Sequence, residues 1–297
     1  MRVPGIIPVL PTSIDTTPHK FDNRNFVENA VEETGLDVLD LRTDAVFAER
    51  NLHSRDIGAQ MAGLQRLSRA MLERPGTILQ ELVSAAVDLC EADSAGISIE
   101  KEDGSDQEFY HWIATAGDYS AFLDAILPRY PSACGLCLER GHPQHFTVSK
   151  RFFDILNVEA PLVTDGILLP WQAEGTRGTI FVMAHGRTEA FDSNDARLMT
   201  MLADFAAMGY RQMKQQARLI AQERAAAAAQ MANQLAHEIN NPLQSMTNAA
   251  YLVAEGATDQ DSRNLGRDLS NDIGRLSKLV KELLSLPYDA AQSSKPQ

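Results

Sequence analysis

The segment 234–243, QLAHEINNPL, holds the residue types with the most specific chemistry in the chain. A neutral imidazole is a nucleophile near neutral pH, because the ordinary pKa of histidine is about 6.5. His237 is therefore a candidate nucleophile. A carboxylate on its second ring nitrogen would fix the tautomer and raise the basicity of the ring, and the adjacent Glu238 is the candidate for that role. Asn241 follows His237 by one helical turn and shares its helix face.

These side chains must be positioned by helices. Almost every residue from 196 to 255 is a helix former, and Gly256 is a natural C-terminal cap. Thr258 and Asp261 predict a capping box for a second helix, which Pro287 ends. So short a turn makes the two helices antiparallel neighbours.

Both helices carry small or apolar residues at alternating spacings of four and three, which is typical of a coiled-coil seam. In the first helix the seam consists of Ala221, Ala225, Ala228, Ala232, Leu235, Ile239, Pro242, Met246, Ala249 and Val253. In the second helix it consists of Leu265, Leu269, Asp272, Leu276, Leu279 and Leu283. Asp272 interrupts the apolar pattern, and we expect the adjacent Ile273 to pack in its place. One hairpin alone buries little, so the seam predicts two chains that pair into a four-helix bundle. The alternative is a hairpin that packs on its own sensor domain.

His237 lies two residues from the seam positions Leu235 and Ile239. Two residues correspond to about 200° of helix rotation, so the imidazole is predicted to point away from the seam and toward water. Pro242 lacks the backbone N–H of a helix interior and crowds the carbonyl of Glu238, at a cost of about 3 kcal/mol. The proline predicts a kink just after the histidine, at a site that must bend.

The run HEINNPLQSMTNAAYLV resembles the phosphoacceptor segment, or H-box, of the histidine kinases of two-component systems. The similarity covers about residues 213–286, the dimerisation and phosphoacceptor (HisKA) hairpin. It implies that His237 is the phosphorylated residue, taking its phosphoryl group from ATP or from an aspartyl phosphate. It also implies that Asn241 helps to orient water for hydrolysis of a partner's aspartyl phosphate, so that Glu238 and Asn241 could serve a phosphatase activity.

The middle of the chain alternates between strand and helix patterns. β-branched and aromatic runs predict strands at 95–100, 108–114, 166–172 and 179–185. Helices are predicted at 54–73, from Thr77, from Asp118 to Leu127, and from Ser193 onward, whereas residues 128–160 look irregular. This order fits an antiparallel sheet flanked by helices, an α+β fold.

Three segments of this region, EADSAGISIE, ILLPWQAEGTRGTIFVMAH and AFDSNDARLMTMLADFAAMGY, resemble a GAF domain, the ligand-sensing module of many signalling proteins. The resemblance implies a GAF-type sensor over 54–210, joined by a long helix to the dimerising hairpin over 211–288. Residues 1–53 remain an unassigned N-terminal segment, and 289–297 are predicted to be a disordered tail.

Histidine kinases normally carry an ATP-binding domain after the hairpin. Eleven residues follow Leu286, whereas a domain needs at least about 50. Neither an Asp-x-Gly-x-Gly loop nor a P-loop occurs in the sequence. We therefore expect that the chain alone neither binds ATP nor phosphorylates itself, and that Mg and ATP act only through a partner kinase domain.

Cys134 and Cys137, followed by His142 and His145, have the spacing C-x2-C-x4-H-x2-H. This is not a standard zinc-finger spacing, although such ligands could close a tetrahedron. Cys134 and Cys137 are therefore candidate ligand-binding residues, as part of a metal site or as a regulatory dithiol. The favoured interpretation is a plain structural loop, and no metal ligand is assigned.

The sequence gives little support for the ligands that other GAF domains bind. Some GAF domains hold a bilin through a cysteine followed directly by histidine, whereas here Gly and Leu follow the two cysteines. The Asn-Lys-Phe-Asp-Glu pattern of cyclic-nucleotide GAF domains does not occur. Haem remains open, with His111, His142, His145 and His185 as nominal ligands. Trp112 and Trp171 are predicted to be core residues.

Composition limits the class of partner. The 27 basic and 40 acidic residues give a net charge of −13, which argues against nucleic-acid and anionic-membrane surfaces. The sequence contains no stretch of about 18 apolar residues, the length that a membrane-spanning helix needs. Prolines break the short apolar run of residues 1–12, which therefore does not resemble a secretory signal, and a cytoplasmic location is predicted. Three cysteines exclude a disulfide framework.

Together these features predict a homodimeric two-component signalling protein. A GAF sensor with an unidentified ligand would control phosphorylation of His237 and phosphoryl exchange with the receiver domain of a response regulator, and a separate ATPase domain is a possible phosphate source. Two alternatives remain: a non-enzymatic dimeric GAF ligand-binding module, and a redox or metal sensor based on Cys134 and Cys137.

Overall fold

The computed structural model describes residues 34–256 and 258–292, with side chains described as far as residue 280. The chain divides after Lys214 into two compact units. The first unit is built around a β-sheet, and the second is a helical hairpin.

The first unit contains a seven-stranded antiparallel sheet in the order β1-β5-β6-β7-β2-β3-β4. The strands are β1 (Leu36–Asp40), β2 (Ser94–Glu100), β3 (Tyr110–Gly117), β4 (Ile126–Leu127), β5 (Gln144–Val148), β6 (Val163–Ala173) and β7 (Thr176–Ala184). β6 and β7 form the central hairpin, in register from Asp165 opposite Ala184 to Ala173 opposite Thr176. Their turn places Glu174 and Gly175 at positive φ, where glycine is the favoured residue.

Helices cover both faces of the sheet. Within residues 34–256 and 258–292 the helices are α1 (Ala45–Ala48), α2 (Ile57–Glu73), α3 (Ile78–Cys90), α4 (Ala133–Arg140), α5 (Lys150–Leu156), α6 (Ser193–Gly256) and α7 (Gln260–Gln292). Two 3₁₀ turns, Pro75–Thr77 and Asp118–Phe122, connect some of them. One buried cluster joins the sheet to α2, α3 and the start of α6, and a second, aromatic cluster joins it to α4 and α5.

Glycines on the strands make room for the aromatic cluster. The Phe181 ring lies over Gly96, and the Phe146 ring lies over Gly166. A Cβ on Gly166 would come within 2.5 Å of the Phe146 ring, so a side chain there would displace an aromatic one. The face of the sheet that carries α4 and α5 is thus filled by the protein's own side chains.

The helix predicted from Asp118 to Leu127 is not formed. A 3₁₀ turn occupies Asp118–Phe122, and the short strand β4 then pairs with β3. The region 128–160, predicted to be irregular, contains α4, β5 and α5. Ser132 caps α4 by accepting a hydrogen bond from the Gly135 N–H at 3.3 Å.

Part of the segment left unassigned by the sequence belongs to the sheet. Residues Leu36–Asp40 form the edge strand β1, which pairs with β5. Leu36 and Val38 are buried while the residues between and after them are exposed or partly so, the alternation of a strand with one covered face.

A buried ion network ties the following segment to the sheet. Arg50 makes a forked pair with Asp165 of β6, with Nη1 2.9 Å from Oδ2, and its Nη1 also donates to the Phe191 carbonyl. His145 of β5 lies with Nε2 2.7 Å from Asp165 and Nδ1 3.0 Å from Asp44. Burial alone would raise the pKa of Asp165, but the hydrogen bonds from His145 and Arg50 hold it below its ordinary value.

The second unit is the predicted antiparallel pair of helices. Asp259, rather than Thr258, caps the start of α7, since its Oδ1 accepts the Ser262 N–H at 2.7 Å. α7 continues past Pro287 to Gln292, further than the sequence predicts. Of the predicted tail, residues 293–297 lie outside the described part of the chain.

The Arg50 network yields a stability prediction. Arg50→Met would leave Asp165 ionised and buried without its guanidinium partner, so we expect the first unit to lose about 3–5 kcal/mol of unfolding free energy. Urea denaturation of the full chain, followed by tryptophan fluorescence, measures the change. Arg42→Met, which removes an exposed pair with Asp40, is the matched control and should have a much smaller effect. Equal effects of the two variants would show that the buried network does not stabilise the sheet.

Candidate functional site

His237 is exposed on α6. Among the described side chains of the hairpin, Leu243, Ala250 and Ile273 form a buried core, with Ile239 partly buried against them. At 100° per residue, His237 lies about 160° around the helix from Ile239, so the imidazole faces away from this core. Asn241 is also exposed and lies 40° from His237 around the helix.

The carboxylate beside the histidine has a defined partner. Gln234 Nε2 donates to Glu238 Oε1 at 2.9 Å, one helical turn toward the N-terminus. No role is assigned to Gln234 from the sequence; its four-residue spacing from Glu238 is the sequence signal of such a pair.

Pro242 lies within an α-helix that is unbroken from Ser193 to Gly256. Because proline has no N–H, the Glu238 carbonyl lacks its usual helical donor at this turn. The proline therefore weakens the backbone ladder one turn after the histidine, and the predicted bend stays a prediction.

A row of large apolar side chains remains exposed on the hairpin. On α6 these are the predicted seam residues Leu235, Met246 and Val253. On α7 they are Leu265, Leu269, Leu276 and Leu279, which are 48–69% exposed. Most of the predicted seam is thus separate from the face that the two helices of one chain bury against each other.

The interruption of the second seam is resolved as predicted. Asp272 is exposed, and Ile273 is buried in the hairpin core. Gly266 allows the two helices to approach closely near their turn, since a Cβ there would lie 2.8 Å from the Ala254 Cβ.

Cys134 and Cys137 of the first unit are both buried in α4. Cys134 Sγ accepts a hydrogen bond from Thr179 Oγ1 at 3.2 Å, and Cys137 Sγ lies 3.5 Å from the His142 carbonyl. Burial raises the pKa of the Cys134 thiol and raises that of Cys137 well above its ordinary value. Both thiols are therefore held in their unreactive, protonated form.

The described residues do not bring the Cys-x2-Cys-x4-His-x2-His residues together as a ligand set. His145 belongs to the ion network of Asp44 and Asp165 instead. Within the described ranges, the one group of three acidic or histidine side chains whose ligand atoms lie within 4.8 Å of one another is His53, Asp192 and Asp195.

The two carboxylates of that group accept backbone hydrogen bonds at the start of α6. Asp192 Oδ1 accepts the Asp195 N–H at 3.2 Å, and Asp195 Oδ2 accepts the Asp192 N–H at 3.1 Å. His53 and Arg55 add contacts, with Arg55 Nη2 3.1 Å from Asp195. Burial raises the pKa of Asp195. In Asp192, burial is outweighed by backbone hydrogen bonds, led by that of the His53 N–H, and the pKa is lowered. The sequence signal at 191–193 marked this helix start.

Two further nominal haem ligands, His185 and His111, also have protein partners. His185 Nε2 lies 2.7 Å from Ser94 Oγ, and its Nδ1 lies 2.8 Å from the Leu162 carbonyl oxygen. His111 Nε2 lies 3.0 Å from Asp124. Trp112 and Trp171 are buried in the two clusters, which confirms their assignment to the core.

None of the helices in the described ranges combines the length and the apolarity that a bilayer crossing requires.

Comparison with protein families places these features in two domains. Residues 74–209 match the model of the GAF domain, and residues 227–287 match that of the His Kinase A (phospho-acceptor) domain, HisKA. The chain therefore carries a GAF domain followed by a HisKA domain, as its sequence predicts. This pair supports a sensor histidine kinase-like role in two-component signalling.

The solved structures similar to the chain share little sequence identity with it. The GAF domain of an Acinetobacter phosphoenolpyruvate-protein phosphotransferase shares 16% identity at a TM-score of 0.42, over 53% of this chain and 95% of that one. Free methionine-R-sulfoxide reductase from Neisseria meningitidis, solved with its substrate, shares 15% identity at a TM-score of 0.42, over 56% of this chain and 98% of that one. A search of curated proteins gives no match.

The burial of the cysteines predicts their reactivity. Cys90, Cys134 and Cys137 should react with a thiol reagent such as DTNB at least about a hundredfold more slowly in the native chain than in guanidinium chloride, since each thiol is buried and its pKa is raised. The time course of absorbance gives both rates. Rapid labelling of Cys134 or Cys137 in the native chain would support a redox role instead.

Proposed function

We propose that this protein is a two-component phosphotransfer protein in which His237 carries the phosphoryl group and exchanges it with the receiver domain of a response regulator. The observation that carries the proposal is the exposed imidazole on α6, followed at once by Glu238 and one turn later by Asn241, within the segment that matches HisKA.

The position of His237 suits a phosphoryl carrier. A phosphoryl donor or acceptor must approach a ring nitrogen in line, and an exposed imidazole opposite the hairpin core leaves that approach open. Such a histidine serves as a nucleophile and is freed again when the phosphoryl group leaves.

Glu238 and Asn241 have distinct proposed roles around that imidazole. Glu238 would orient the ring through its second nitrogen and stabilise the charge that develops when the first nitrogen attacks phosphorus. Asn241, on nearly the same face, would orient a water molecule for hydrolysis of the aspartyl phosphate of a docked receiver. Flexing near Pro242 would move these groups relative to one another.

The proposed active form is a homodimer. HisKA domains generally dimerise, and the exposed seam residues of α6 and α7 supply the surface that a second copy would cover. Large apolar side chains at heptad spacing are stabilised when four helices surround them, as in a four-helix bundle. The two hairpins would thus share one apolar core while each His237 faces water.

The GAF domain is proposed as the input. α6 starts at the buried Asp192–Asp195 cap in the first unit and continues without a break to His237. A ligand that alters the sensor core would act on the first turns of this helix, and a helix transmits rotation or bending along its length. The phosphoryl group itself would come from a receiver or from a separate ATPase domain bearing Mg and ATP.

The second candidate, a non-enzymatic GAF ligand-binding module, shares the dimer but assigns no chemistry to His237. The match to HisKA and the Glu238–Asn241 surroundings favour the phosphotransfer proposal. The third, a redox or metal sensor at Cys134 and Cys137, has little support, because both thiols are buried and bonded and their pKa values are raised.

Substitution of the histidine should abolish phosphoryl transfer. We expect receiver domains phosphorylated with acetyl phosphate to label the wild-type chain and to leave His237→Gln unlabelled, since the amide has no nucleophilic ring nitrogen. Phosphate-affinity electrophoresis with an acid-treated control identifies the acid-labile phosphohistidine. His111→Gln is the matched control and should label normally; labelling of the His237→Gln chain would refute the proposal.

A charge in the seam should separate the dimer. Leu269→Glu would place a carboxylate in the shared apolar core, so we expect the dimer to dissociate to monomers at low micromolar concentration. Light scattering after size-exclusion chromatography measures the mass. Leu123→Glu, at an equally exposed leucine of the sensor unit, should leave the dimer intact. A wild-type monomer, or a Leu269→Glu dimer of unchanged stability, would argue against the seam.

A further inference from the structure

The two helices of the second unit differ in charge. Between Arg224 and Glu255, with histidine taken as neutral, Glu238 is the one charged side chain of α6. By contrast, α7 carries exposed charged residues along its described length. Three of them form a basic row, which consists of Arg263, Arg267 and Lys278. Three others form an acidic row, which consists of Asp261, Asp268 and Asp272. Over this stretch of the hairpin, a partner that recognises charge must therefore read mainly α7.

The basic row and the acidic row lie on opposite sides of α7. Ile273 faces α6 in the hairpin core. At 100° per residue, the basic row lies about 80–140° to one side of Ile273, and the acidic row lies about 100–140° to the other. The exposed seam leucines lie on the acidic side, and they are Leu265, Leu269, Leu276 and Leu279. The basic row is therefore turned away from the proposed dimer contact.

His237 is turned away from the seam in the same sense. Measured from Leu243, which also belongs to the hairpin core, Leu235 of the seam lies about 80° to one side and His237 lies about 120° to the other. Gln244 and Tyr251, both exposed, lie about 80–100° from Leu243 on the side of His237. In an antiparallel pair, rotation in the same sense from the facing residues leads to the same face of the hairpin. The basic row thus shares one face, the outer face, with His237.

The basic row also extends along the hairpin to the level of the imidazole. Ile273 packs with Leu243, and each residue further along α7 stands opposite one residue earlier in α6. Lys278 is five residues beyond Ile273, so it lies near the level of the imidazole. Arg263 and Arg267 lie between Ile273 and the turn. A partner that covers the outer face while it reaches the imidazole therefore meets the cations of α7.

We infer that the receiver domain docks on the outer face through an acidic surface of its own, and that the basic row selects it. The inference rests on the proposed phosphoryl exchange at His237 and names the chemistry of the partner. An acidic partner is attracted and steered by the basic row, while the acidic row repels it from the opposite side of α7. Tyr251, which is 61% exposed, adds an aromatic side chain of the kind enriched at protein interfaces.

Charge reversal on α7 tests the inference with the intact chain and a panel of receiver domains phosphorylated with acetyl phosphate. In each transfer the imidazole nitrogen bonds to phosphorus, the phosphorus–oxygen bond of the aspartyl phosphate breaks, and the aspartate leaves as a carboxylate. The ring proton passes to water. Initial rates over a range of receiver concentrations give the half-saturating concentration and the maximal rate separately.

The test variant is Arg267→Glu. Its matched control is Arg275→Glu, which makes the same change of charge on the acidic side of α7, beside Asp272. We expect Arg267→Glu to raise the half-saturating receiver concentration about fivefold at an unchanged maximal rate, and Arg275→Glu to match the wild type. Arg267→Lys, which keeps the charge, should also match it. The difference between Arg267→Glu and the wild type should shrink as potassium chloride is raised, because salt screens exposed charges.

The outcomes separate this inference from the proposed function. If no receiver labels the wild-type chain at His237, the proposed function itself fails. If receivers do label it and Arg267→Glu behaves as Arg275→Glu does, the basic row does not hold the partner. Dissociation of Arg267→Glu to monomers in light scattering would assign the outer face to a second copy of the chain instead.

Phosphoramidate is the check on the imidazole itself, since so small a donor needs no docking surface. We expect it to label His237 at the same rate in the wild type and in all three variants. Slower labelling of Arg267→Glu alone would show that the substitution acts on the imidazole rather than on docking, and would overturn the inference.

Discussion

A helical hairpin can bury only the facing sides of its two helices, and this limit determines the arrangement of the phosphoacceptor region. In α6 the side toward α7 carries Ile239, Leu243 and Ala250. A second apolar row next to it, including Leu235 and Met246, has no cover within the described hairpin. Together the two rows occupy one broad side of the helix and leave the remaining side outside this packed surface.

His237 lies on that remaining side, and its exposure follows from the same pattern. The proposed phosphoryl exchange at His237 requires an open approach, while the proposed dimer requires a continuous apolar surface. Helix α6 offers the two on opposite sides. At its other end, α6 is held by the buried pair Asp192 and Asp195, so the element that bears the histidine begins inside the sensor unit.

The sequence predicts most of this arrangement where the pattern is regular. Heptad spacing and helix formers identify both long helices, and the residues around His237 predict the candidate site. Between residues 128 and 160, by contrast, tertiary contacts determine two short helices and a strand. Gly135 is a poor helix former, yet it lies inside α4. Glycine is needed there because a Cβ would come within 2.8 Å of the Arg129 carbonyl. Ion pairs such as Arg50 with Asp165 join residues 115 positions apart and leave no local pattern to read.

The central claim is that one imidazole, that of His237 on the outer side of α6, accepts a phosphoryl group. The most direct measurement is ³¹P NMR of the intact chain after reaction with phosphoramidate, with the modified residue located by electron-transfer fragmentation of its peptides. The account predicts one phosphoimidazole resonance and a single modified site at His237. A phosphoryl group found mainly on another histidine, or spread evenly over all seven, would contradict it.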